Sequence, residues 1–109
     1  MSRHEVRQRI DAFLDMQAID RAASDNTLAA YRRDLNHVST YLELRGPGLI
    51  RADREHLAAY QRNLSAEGLA PSTIARRISA LRQFYRFELE EGLRETNPAQ
   101  GLSAPEASR

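Results

Sequence analysis

Three residue types are missing outright from this chain of 109 residues: it has no cysteine, no lysine and no tryptophan. Without cysteine there is no disulfide and no thiol nucleophile, and the common zinc sites lose their main ligand. The histidines do not make up for this. His4, His37 and His56 are scattered, with no partner at metal-ligating spacing, so neither a metal nor any other cofactor is expected. Long apolar runs are missing too. The opening "MSRHEVRQRIDAFLDM" carries a charge every few residues, so it is predicted to be neither a signal peptide nor a membrane anchor, and the expected location is cytoplasmic. Internal repeats and low-complexity tracts are absent. Net charge is nearly absent as well: 16 basic residues against 15 acidic ones leave +1. Only the distribution of charge can therefore carry information.

What is present is helical spacing. The first helix is predicted over about Arg3 to Ile19, on Val6, Ile10, Phe13, Leu14 and Gln17. The second opens at Ser24 or Asp25, either of which can cap free amides. It follows Leu28, Tyr31, Leu35, Val38 and Leu42, and ends at "RGPG" (Arg45 to Gly48). The third starts from the cap Asp53 and runs through Leu57, Tyr60 and Leu64. The fourth begins at Ser72, after Pro71, and passes through Ile74, Ile78, Leu81, Phe84, Tyr85 and Leu89 to a stop at Gly92. A short fifth helical turn is predicted near Pro98. No segment reads as a strand. The fold class is all-α: four helices in two helical hairpins around one core, with Leu28, Leu35, Leu57, Leu64, Ile74, Ile78, Leu81 and Tyr85 buried together.

All 16 basic residues are arginine. A GC-rich genome explains that choice, but its consequence is chemical: the guanidinium fork suits phosphate and guanine. Four arginines and no acid fall in "STIARRISALRQFYRF", Ser72 to Phe87. At about 100° per residue, Ile74, Ile78, Leu81 and Tyr85 share one sector, and Ser72, Arg76, Ser79 and Gln83 lie opposite. Arg82 and Arg86 fall at one edge of the apolar stripe and Arg77 near the other, within reach of their long stems. The second helix repeats the design, with Asn26, Ala29, Ala30, Arg33 and His37 opposite its stripe and Thr27 and Arg32 to either side. Arg32 with Asp34, and Arg86 with Glu90, are candidate surface pairs. A helix fits the major groove, where arginine reads guanine and hydroxyls or amides bond bases and phosphates. These features point to a helical domain with a DNA-binding face. The alternative is a helical interaction module whose basic face meets an acidic protein.

Three segments, "NTLAAYRRDL" (Asn26 to Leu35), "STIARRISALRQFYRFELEEG" (Ser72 to Gly92) and "NPAQGL" (Asn97 to Leu102), resemble the N-terminal core-binding domain of Xer-type tyrosine recombinases, in order and in separation. XerD-like members are the nearest, and XerC-like proteins and phage or transposon integrases share much of the pattern. The resemblance implies a SAM-like core-binding domain over residues 1–102, with 103–109 ("SAPEASR" from Ser103) beginning a linker to a catalytic domain. It implies that the second and fourth helices lie in the major groove of a double-stranded recombination site, as half of a clamp. Thr27, Ala30, Arg32 and Arg33 would face DNA from the second helix. Ser72, Thr73, Arg76, Arg77 and Ser79 would do so from the fourth, with Arg82 either a phosphate contact or an internal anchor. Another recombinase protomer is the implied protein partner, and chromosome dimer resolution, segregation or integration the implied role.

The family's catalytic set includes a lysine, a His-x-x-Arg motif and a nucleophilic tyrosine, and this chain has no lysine. "HEVR" (His4 to Arg7) has the spacing but lies at the start of the first predicted helix, and is read as coincidence. Tyr31, Tyr41, Tyr60 and Tyr85 fall within predicted helices and are expected in the core or at its boundary. These 109 residues are therefore not expected to be an enzyme.

Overall fold

Three of the four helices begin where a side chain or a proline can deal with their free amides. In the computed structural model, which describes residues 3–102, α1 spans Arg3–Asp20, α2 Asp25–Arg45, α3 Arg54–Ala66 and α4 Pro71–Glu90. The Ser24 hydroxyl accepts from the Thr27 amide at 3.2 Å and caps α2. Asp53 caps α3 reciprocally: its carboxylate accepts from the His56 amide at 3.1 Å, and His56 Nδ1 accepts from the Asp53 amide at 3.2 Å. Pro71 is itself the first residue of α4, one earlier than expected, because a missing N–H costs nothing there. Gly92 ends α4 as expected: its φ of 74° turns the chain so that the Leu93 amide reaches the Glu88 carbonyl at 2.9 Å.

The described residues contain no strand. α4 packs against all three other helices, and α2 does the same, so these two form the centre of the bundle. Phe13, Leu35, Leu57, Tyr60, Leu64, Ile78, Leu81, Phe84 and Tyr85 are completely buried. Phe13 of α1 meets Phe84 of α4 edge-on at 5.7 Å. Seven of the eight residues expected in the core are buried; Leu28 is the exception and packs half-buried at its edge, in the first turn of α2. The four tyrosines are tied in. Tyr85 donates to the Leu49 carbonyl at 2.6 Å, Tyr31 accepts from Gln83 at 3.1 Å, and Tyr41 packs edge-on against Tyr60 at 5.1 Å.

After α4 the chain folds back on the bundle. Pro98–Gly101 form a short hydrogen-bonded turn where the fifth helical turn was expected, with the Gln100 amide donating to Asn97 and the Leu102 amide to Ala99, both at 3.2 Å. Ala99 and Leu102 are buried. Arginines staple this segment through backbone carbonyls. Arg94 donates to Ile50 and Ala52, both at 2.8 Å, and lies over the Tyr85 ring, while Arg54 donates to Gly101 at 3.3 Å. The expected linker, 103–109, lies outside the described residues.

Candidate nucleic-acid interface

Asp34 organises the contact between α2 and α4. Its carboxylate is only 3% exposed, and a buried charge needs partners. Arg76 supplies a two-pronged fork from α4: Nε donates to Oδ2 at 3.1 Å and Nη2 to Oδ1 at 2.9 Å. Arg77 stands beside the same carboxylate, with Nε 3.7 Å from Oδ1. The Arg77 Nη1 group then donates to Nδ1 of His37 at 3.1 Å, and the same nitrogen lies 2.7 Å from the Tyr60 hydroxyl. Arginine carries only donors, so Nδ1 accepts and the imidazole proton sits on Nε2. Desolvation and then the Arg77 charge lower the His37 pKa, and burial pushes the Tyr60 hydroxyl up to about 12. Hydrogen bonding to Asp34 raises the Arg76 pKa further, so its charge is permanent.

The lowered His37 pKa gives stability a pH dependence of definite sign. The folded chain disfavours the imidazolium, so the unfolded chain takes the proton first as pH falls. Stability is complete above the ordinary histidine value of 6.5 and is lost as pH drops through it. Melting followed at about pH 7.5 and about pH 5.5 should show a fall on the acid side that is shallower in His37→Gln. An equal fall in both proteins would show that His37 plays no part.

A groove between α2, the end of α3 and the first half of α4 gathers Arg33, Arg45, Arg76 and Arg77 with Asn63 and the acids Asp34 and Glu67. Arg33 is exposed and, among the described residues, makes no hydrogen bond or ion pair. Arg45 lies over the Tyr41 ring at 4.8 Å. Thr27 and Ser72 are exposed in the first turns of α2 and α4, and Ala30, Thr73 and Ser79 are half-buried. The start of α4 has no side-chain cap and no acid in its first turn, so its amide partial charge is not neutralised there.

Arg32 stands elsewhere than its helical-wheel position suggests, whereas Arg82 and Arg86 take placements the wheel allowed. Arg32 pairs with Asp11 of α1 at 2.9 Å, not with Asp34, and faces a separate groove beside Arg3 and Arg7. Arg82 turns inward, and its guanidinium donates to the carbonyls of Ala99 and Leu102. Of its two expected placements this is the anchor. Arg86 does pair with Glu90, at 3.6 Å. Gln83, expected opposite the stripe, instead bridges helices: it donates to Tyr31 of α2 and accepts from Gln17 of α1 at 3.2 Å. Sequence reasoning put His37 on the polar face of α2 but missed Asp34, Arg45 and Tyr60 as members of the site. The available signal was an acid flanking the α2 apolar stripe, opposite a helix rich in arginine.

The family described as "Phage integrase, N-terminal SAM-like domain" matches residues 10–92, which include every residue of this site. The chain belongs to that family. The SAM-like domain is 50% identical over 99 residues to the tyrosine recombinase XerD of Caulobacter vibrioides, covering 91% of this chain and 32% of that protein. It is 44% identical over 100 residues to the XerD of Rhizobium meliloti, covering 92% of this chain and 32% of that one. The chain thus spans about a third of the length of these relatives. No solved structure gives a significant match. Among the described residues no group of histidines and acids could hold a metal ion, and no helix is long and apolar enough to cross a membrane.

Proposed function

We propose that this SAM-like domain binds double-stranded DNA through its α2–α4 face, as the N-terminal part of a site-specific tyrosine recombinase. The observation that carries the reading is the convergence of Arg33 and Arg45 from one helix with Arg76 and Arg77 from another on a single exposed groove. Arginines gathered this way suit a duplex, because phosphates flank the groove that a helix enters. Thr27, Ala30, Ser72, Thr73 and Ser79 would line the approach from the N-terminal halves of the same two helices. Strand cleavage and rejoining, through a tyrosine outside these 109 residues, would belong to the remaining length of the recombinase, reached through a linker over 103–109. A second protomer of the whole protein is the natural partner there. The XerD name of the relatives favours chromosome dimer resolution and segregation, in the cytoplasm, over phage or transposon integration.

The test is an anisotropy titration with duplex DNA at two salt concentrations. Arg33→Ala should weaken binding and lower the salt slope by about 0.9, the contribution of one neutralised phosphate. Arg76→Ala should weaken binding with less change of slope, because Asp34 already matches its charge. Arg3→Ala, beside Glu43 at the start of α1, should change little. Arg94 is unsuitable as a second control, since its guanidinium holds two loop carbonyls. Equal losses for Arg33, Arg76 and Arg3 would mean diffuse charge attraction and no defined face. No binding at all, with an acidic protein bound instead, would favour the interaction-module reading.

A further inference from the structure

Arg76 offers five N–H groups in a rigid plane, and the geometry of its pair with Asp34 decides which remain free. The carboxylate takes the side-on edge, Nε–H and one N–H of Nη2. The end-on edge, formed by Nη1 and the outer N–H of Nη2, stays open, and the side chain is 49% exposed. That edge is the one that can donate in parallel to O6 and N7 of a guanine. Asp34 is itself held: it is buried on α2, with Arg77 Nε 3.7 Å from the Oδ1 that Arg76 also uses. Arg76 is therefore held from behind and presented from the front.

We propose that Asp34 is a positioning residue for base reading: it fixes Arg76 so that its free edge selects guanine, and it cancels the charge that would otherwise attract any phosphate. This rests on the DNA-binding reading above. An unrestrained arginine beside DNA has many phosphates to pair with and little reason to prefer a base edge. A guanidinium already neutralised and oriented by a buried carboxylate gains little from a phosphate, but keeps two parallel donors at fixed separation. Arg33, which has no such partner among the described residues, serves the opposite purpose and supplies sequence-independent attraction. The two arginines divide affinity from specificity.

The opposing effects on affinity and on selectivity make the inference testable with the 109-residue chain. Its binding to a random-sequence duplex library, read by sequencing the bound fraction, measures base preference. Anisotropy against one arbitrary mixed-sequence duplex at two salt concentrations measures affinity and slope. The wild-type chain should enrich guanine at one position by about tenfold. Asp34→Asn should lose that enrichment, yet bind the arbitrary duplex at least as tightly and with a slope steeper by about 0.9, because the guanidinium is released to phosphates. Arg76→Lys should also lose the enrichment, since an ammonium cannot serve a carboxylate and a guanine as two forks. If Asp34→Asn fails to fold by circular dichroism, Arg76→Lys decides alone. Guanine enrichment that survives in either folded variant, or wild-type binding with no base preference, overturns the role given to Asp34 and leaves DNA binding standing. Absence of duplex binding by the wild-type chain would instead sink the DNA reading.

Discussion

Arg9→Ala should destabilise the domain by about 3–5 kcal/mol, because it strands a carboxylate in the interior. Glu88 of α4 is fully buried, and Arg9 of α1 meets it with a fork: Nε donates to Oε2 at 2.9 Å and Nη2 to Oε1 at 2.5 Å. Arg9 is itself mostly covered, with 17% of its side chain exposed, so water cannot readily replace the guanidinium. The large cost reflects the unpaired ion left behind, not the net worth of the pair. The double replacement Arg9→Leu with Glu88→Leu should accordingly recover much of the loss, since removing both charges removes the desolvation cost as well. Urea unfolding of the wild type, both single variants and the pair completes the cycle. A loss below about 1 kcal/mol for Arg9→Ala would show that Glu88 is hydrated in solution and that the α1–α4 contact rests on its apolar side chains.

Ile78→Ala should cost about 2–5 kcal/mol, the range for truncating a branched side chain in a packed core. Ile78 lies at the middle of α4 with no exposed surface, in the cluster that includes Leu35, Leu57, Tyr60 and Leu64. α4 is central, so a cavity there weakens contacts to more than one neighbour. In a domain of about this size each kcal/mol moves the melting temperature by about 4–8 °C, so thermal melting reads the effect directly. Leu28→Ala is the informative contrast. Leu28 is only half-buried at the start of α2, and its truncation should cost clearly less. Equal costs at the two positions would mean that the bundle relaxes around residue 78 and that α4 does not form its centre.

The division between what was legible in the sequence and what was not follows the range of the interactions. Helix starts and stops depend on residues one to four apart, so Ser24, Asp53 and Gly92 could be read as signals without knowing the fold. Apolar spacing likewise settles which side of each helix faces inward, and Ile78, Leu81 and Tyr85 lie where it puts them. Leu28 failed because the first turn of a helix can project beyond its neighbours, and no local pattern reports where a neighbour ends. Nor does any local pattern say which helix lies opposite. Asp34 and Arg76 are 42 residues apart, and Arg9 and Glu88 are 79 apart. Arginine widens this gap, because its long stem carries the guanidinium several ångströms from the direction of its Cβ. Arg82 therefore reaches the carbonyls of Ala99 and Leu102 while Arg76, on the same helix, reaches a buried acid. Local order along the chain is enough for four helices, their polarity and an arginine-bearing pair of faces. Which arginines are held inside, which are matched by an acid and which stand free is set by packing, because each outcome depends on neighbours distant in the chain.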